Sequence, residues 1–140
     1  MKRIVFLSLM LTFLMSSMPS EAQTKKAKKA TATVSNKIEV YYFHYTRRCI
    51  TCNAVESVTK QTIADLYPTQ FKKGQITFTS VNLDEKGSEV IAKKCKAEGQ
   101  SLLFMGKNKR IDLTDKGFMY AKNTPEKLKS EVKNTIDALL

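Results

Sequence analysis

The amino-acid sequence predicts an α/β domain in which a four-stranded mixed sheet carries helices on both faces, in the order β-α-β-α-β-β-α. Three observations lead there. A strongly apolar strand is followed directly by a segment of helical period, a second strand-helix pair repeats that arrangement, and a short hairpin with a final amphipathic helix closes the chain. Right-handed crossovers and short connections leave few other ways to assemble these pieces.

The first strand is Ile38 to Tyr45 (IEVYYFHY), rich in β-branched and aromatic residues and apolar on both faces apart from Glu39 and His44. That pattern fits a central strand covered on both sides. After Thr46-Arg47-Arg48 the period changes. Val55, Val58, Thr62 and Leu66, with Ile63 and Tyr67 alongside, form one helical stripe, Glu56 and Lys60 lie outside it, and Pro68 ends the helix. Gln75 to Leu83 reads as a second strand, followed by a helix capped by Ser88 that carries Val90, Ile91 and Cys95 and is closed by Gly99. Ser101 to Met105 is a third strand, Gly106-Lys107-Asn108 a turn, and Lys109 to Leu113 the hairpin partner. A last helix starts at Pro125 behind Asn123 or Thr124, with Leu128, Val132, Ile136 and Leu139 as its buried stripe.

The chain has 140 residues, 42% of them hydrophobic and 26% charged, which suits one domain and excludes a multidomain enzyme. Five Gly and three Pro exclude collagen-like and Gly/Pro-rich disordered classes. The formal charge of +11 bears on solubility and attraction to anionic surfaces, and not on fold. Lys2 and Arg3, the apolar run Ile4 to Met15 and the small-x-small end Ser20-Glu21-Ala22 together read as a signal peptide over 1–22, and a periplasmic or secreted location is expected. The apolar run is too short to span a hydrocarbon core of about 30 Å. Residues 23–37 hold Lys25, Lys26, Lys28, Lys29 and Lys37 with no acid, so a basic disordered linker is expected before the domain at 38–140. It lacks the interleaved aromatics of single-strand binders, and no specific nucleic-acid partner is expected.

The sharpest feature is Cys49-Ile50-Thr51-Cys52, set between the first strand and the first helix. A thiolate at Cys49 would face unpaired backbone N–H groups and the positive end of the helix dipole, with Arg47 and Arg48 adding positive charge beside it. The thiolate is the attacking species in disulfide exchange, so Cys49 is assigned as nucleophile and Cys52, one turn deeper, as resolving thiol. His44, the single His, reads as a packed residue or a proton carrier. Cys95 continues the Ile91 stripe and reads as a buried thiol or a regulatory third cysteine. With no Gly-rich phosphate loop, no flavin or nicotinamide cofactor is expected.

With this motif in this element order, the chain resembles the thioredoxin-like superfamily over Ile38 to Leu140. The segment Tyr42-Phe-His-Tyr-Thr-Arg-Arg-Cys-Ile-Thr-Cys52 further resembles a small exported family of Bacteroides-type bacteria described as a nitrophenyl compound nitroreductase subunit. That resemblance implies a thiol carrier that supplies electrons to a reductase partner for nitroaromatic compounds. Thioredoxins often carry a buried carboxylate six residues before the first active-site Cys, where this chain has Phe43, and a cis-proline before the third strand, where it has Gln100-Ser101. A non-proline cis bond costs about 2.5–4 kcal/mol, so a trans bond and a reshaped groove are expected there. The Trp that flanks many such sites is replaced by the neighbourhood of Tyr42, Tyr45 and His44.

The first reading is thus an exported thiol-disulfide oxidoreductase or thiol electron carrier, acting as a monomer on a protein thiol or disulfide, or fed by a membrane electron donor. A second is a soft-metal module for Cu or Zn on Cys49 and Cys52, with His44 or Cys95 completing the ligands. A third is an adaptor whose disulfide is only structural.

Overall fold

The computed structural model describes residues 37–140. The signal peptide and nearly all of the basic linker expected from the sequence lie outside the described residues. Strand β1 (Ile38–His44) runs into helix α1 (Ile50–Leu66), and a short α2 (Pro68–Lys72) leads to β2 (Ile76–Asn82). Helix α3 (Ser88–Cys95) follows, then the hairpin of β3 (Ser101–Met105) and β4 (Arg110–Asp112), and finally α4 (Thr114–Tyr120) and α5 (Pro125–Asp137).

The sheet order is β2-β1-β3-β4. Strand β1 pairs in parallel with β2 from Ile38↔Ile76 to His44↔Asn82, and antiparallel with β3 from Glu39↔Met105 to Phe43↔Ser101. This parallel pair flanked by an antiparallel hairpin, with helices on both faces, is the four-stranded mixed α/β sheet expected from the sequence. Alternation along β1 builds two cores. Ile38, Val40 and Tyr42 pack with Leu102 and Phe104 against Val55 and Ile63 of α1 and Leu128, Val132 and Ile136 of α5. Tyr41 and Phe43 pack with Val81 and Leu103 against Ala92 and Cys95 of α3. Each fully buried Leu, Ile, Val or Phe contributes about 1.5–3 kcal/mol of transfer free energy, so β1 is held from both sides.

Several elements depart from expectation for local reasons. On α1, Leu66 is exposed, beside an open pocket that it lines with Glu126, Lys129 and Lys133 of α5, and Thr59 is buried in the stripe instead. Ser88 does not cap α3. Gly87, at φ 93°, holds the cap position, where a left-handed backbone favours glycine, and the Ser88 hydroxyl donates to the Leu83 carbonyl. Val90 is exposed, and the helix ends at Cys95, before Gly99, with left-handed Lys96 as its cap. Arg110 then donates through Nε to the Cys95 carbonyl at 2.9 Å and through Nη2 to that of Lys96, satisfying helix-end acceptors from the hairpin. Thr124 precedes α5 without a side-chain cap bond.

Helix α4 is absent from the expectation, because a short segment with a central Gly gives a weak helical signal. Its start is fixed by Asp112, whose Oδ1 accepts from the Thr114 amide at 3.0 Å and from the Thr114 hydroxyl at 2.5 Å. Gly117 is buried where a Cβ would lie 3.3 Å from Val55 Cγ1 and 3.5 Å from Leu102 Cδ2. Small size there lets α4 lie against α1 one turn beyond Cys52. Among the described residues, no helix is long and apolar enough to cross a membrane.

Overpacking this seam is expected to be costly. Replacing Gly117 with Leu should destabilise the fold by about 1–3 kcal/mol, read as a fall in denaturant midpoint, and an unchanged midpoint would show that α4 is free to move away from α1.

Candidate redox site

Beyond His44 the chain must leave the sheet and enter α1 within a few residues, and the end of β2 anchors that turn. Asp84 Oδ2 accepts from the Thr46 amide at 2.8 Å, and Asn82 Nδ2 donates to the Thr46 hydroxyl at 3.0 Å. The backbone hydrogen bond from Thr46, joined by one from its hydroxyl, holds the Asp84 carboxyl below its ordinary value of 3.8.

Cys49 occupies the N-cap of α1 in an extended conformation, φ −88° and ψ 167°, and its Sγ accepts from the Cys52 amide at 3.1 Å. A sulfur thus takes the place that a Ser or Asp oxygen has at most helix starts. The first turn of α1 contains no acid to counter the dipole. Cys49 is exposed, whereas Cys52 is 3% exposed, and the two form a disulfide with Cα atoms 5.1 Å apart. The outer sulfur is open to a partner and the inner one is covered. Ile50, next in the chain to Cys49, is 74% exposed, and Tyr45, just past the end of β1, is 43% exposed.

The two arginines have different fates. Arg47 is exposed. Arg48 was expected beside Cys49 as a second stabilising charge, but it is half-buried, ion-paired with Glu56, and seated with Cζ 5.6 Å from the centroid of the Tyr42 ring. Burial alone would raise the Glu56 carboxyl, but hydrogen bonds from Arg48 and Ser80 and the Arg48 charge outweigh it and hold the group low. Glu56 is the residue that sequence reasoning missed, having been placed outside the buried stripe. Its separation from Cys49 by nearly two turns, on the same helical face, is the signal that could have found it.

His44 is buried, stacks on Tyr42 with ring centroids 5.8 Å apart, and has Nδ1 2.9 Å from the Tyr45 carbonyl oxygen. Gln100 Oε1 lies 4.0 Å from Cys52 Sγ, so the loop before β3 reaches the disulfide. No cis bond occurs among the described residues, so Gln100-Ser101 is trans, and the Ser101 hydroxyl turns away to donate to the Gly99 carbonyl. A groove of about 720 Å³ opens beside this loop, lined by Lys96, Glu98, Gln100, Ser101, Arg110 and Asp115 among others. Phe43 is fully buried in the α3-facing core, so β1 supplies no carboxylate below the disulfide.

Cys95 lies in that same core, across the sheet from α1, with its thiol pushed up by burial. The ligand set of Cys49, Cys52 and Cys95 considered for a soft metal is therefore divided by the sheet. No group of three or more His, Cys, Asp or Glu among the described residues could hold a metal ion.

Scans against protein-family models and curated proteins find no match. Among solved structures, the chain is similar to the germline-specific thioredoxin Deadhead of Drosophila melanogaster, with 19% identity and a TM-score of 0.47 over 75% of this chain and 83% of that one.

Two outcomes follow from this geometry. In the reduced, folded protein Cys49 should be alkylated well before Cys52, and Cys95 only on unfolding; equal rates at all three by mass spectrometry would contradict the exposure pattern. The Asp84 anchor is complete above the unfolded-state pKa and is lost as pH falls through the lower folded value. The Thr46 amide proton should accordingly titrate below pH 3.8 by NMR, and Asp84→Asn should abolish that titration.

Proposed function

We propose that this protein is a thiol-disulfide oxidoreductase or thiol electron carrier acting through Cys49 and Cys52. The observation that carries the reading is a dithiol pair at a strand-to-helix corner, its outer sulfur exposed at a helix N-cap and its inner sulfur buried.

In the reducing direction, the Cys49 thiolate attacks one sulfur of a partner disulfide. The partner's S–S bond breaks, a Cys49 mixed disulfide forms, and the expelled partner thiolate takes a proton. Cys52 then loses its proton and attacks Cys49 Sγ, forming the Cys49–Cys52 bond and releasing the second partner thiol. Two electrons have passed to the partner, and a dithiol donor restores the pair. The N-cap amide contact and the dipole favour the anion at Cys49, where attack must begin. Burial disfavours ionisation of Cys52, so it waits until the mixed disulfide brings an electrophilic sulfur against it.

An exported setting and a reductase partner for nitroaromatic compounds are part of the proposal. Their support is the leader pattern of Met1 to Ala22 and the character of Tyr42 to Cys52. In that setting this chain delivers electrons and the partner carries out the nitro chemistry.

Turnover of a peptide disulfide with dithiothreitol as donor provides the test. Cys49→Ser should abolish it, Cys52→Ser should accumulate a covalent mixed disulfide visible on non-reducing gels, and Cys95→Ser should leave it unchanged. An inactive wild-type protein, or activity surviving in Cys49→Ser, would overturn the assignment.

A further inference from the structure

Seven ion pairs are formed among the described residues, and six leave at least one partner widely exposed. The exception is Arg48–Glu56, with side chains only 23% and 22% exposed. Arg48 directly precedes the nucleophile, yet its side chain runs back along α1 to a residue eight positions on. Glu56 sits about 10 Å from Cys49 along the helix axis. The guanidinium is seated over Tyr42, whose ring stacks in turn on His44.

We propose that Glu56 sets how readily Cys49 ionises, by drawing the Arg48 charge away from the start of α1 and neutralising it there. Arg48 and Glu56 together are then a potential-setting pair, with Glu56 a positioning residue that acts through Arg48. The inference deepens the redox reading of Cys49 and Cys52 and rests on it. The groups around the start of α1 are its dipole, exposed Arg47, the Arg48–Glu56 pair, His44 behind Tyr42, Asp84 across the anchored turn, and Glu98, Arg110 and Asp115 in the open groove beside Gln100. Only the pair combines a full positive and a full negative charge in a poorly screened position. With both arginines uncompensated the reduced form would be strongly stabilised and the dithiol strongly oxidising. Compensation of one of them places the pair nearer the reducing end. The depressed Glu56 carboxyl is consistent with a permanently charged partner.

Two single variants and their combination test this. Glu56→Gln keeps an amide oxygen for the guanidinium but removes the negative charge. In the reduced protein it should lower the Cys49 pKa by about half a unit, raise the alkylation rate below that pKa about threefold, and move the glutathione equilibrium toward the dithiol. Arg48→Gln should shift all three the opposite way, and the double variant should return close to wild type. A merely structural pair would lower the denaturant midpoint in both variants while leaving the Cys49 pKa in place, and that result, or shifts of the same sign, would overturn the proposal. Should Arg48→Gln fail to fold, Glu56→Asp decides: it keeps the charge and should retain the wild-type pKa, and a shift equal to that of Glu56→Gln would refute the charge mechanism. Failure of the redox reading itself shows separately, as absence of disulfide exchange by the wild-type protein.

Discussion

Everything at the candidate site depends on β1 being gripped from four directions. Its two edges are hydrogen-bonded to β2 and β3, and its two faces are buried under α1 and α5 on one side and α3 on the other. A strand so held cannot shift its end. The Thr46 turn, itself tied to Asp84 and Asn82, therefore delivers Cys49 to a set position, and the Cys52 amide completes the placement by donating to its sulfur. The same hydrogen bond that caps the helix would stabilise the thiolate needed for attack, so a folding interaction and a chemical one coincide in one contact.

The asymmetry between the two sulfurs follows from helix geometry. One turn of α1 separates an exposed residue at its end from one facing the core, and α4, seated closely through Gly117, fills the space beyond. Exposure then separates the roles of chemically identical groups. Cys95 completes the contrast: the same side chain, placed in the α3-facing core, has burial to raise its thiol and no helix start to lower it.

Charge in this protein is a matter of place and not of total. A chain of formal charge +11 has an arginine next to its outer sulfur whose charge is used elsewhere, against Glu56 and over Tyr42. The groove beside Gln100 holds acids as well as bases, with Arg110 tied to helix-end carbonyls and to Asp112. Net charge is thus a poor guide to the field at the disulfide.

Much of the architecture was legible from residues alone, because its signals are local. Alternation and unbroken apolarity mark β1, Cys-x-x-Cys after a strand marks the corner, and Pro125 with the Leu128–Val132–Ile136 spacing marks α5. Other features have a weak local signal or none. Helix α4 starts on a short Asp112–Thr114 contact that a central Gly obscures and is seated by a long-range approach at Gly117 to Val55 and Leu102, and Gly87 takes the cap next to Ser88 because the turn there has a left-handed backbone. The sequence by itself determined the order of elements, the central strand and the pair of cysteines, since these follow from periodicity and spacing along one chain. Only the tertiary structure decided that Gln100 reaches Cys52, that Cys95 lies across the sheet, and that Arg48 answers to Glu56, because each depends on packing and distance in space.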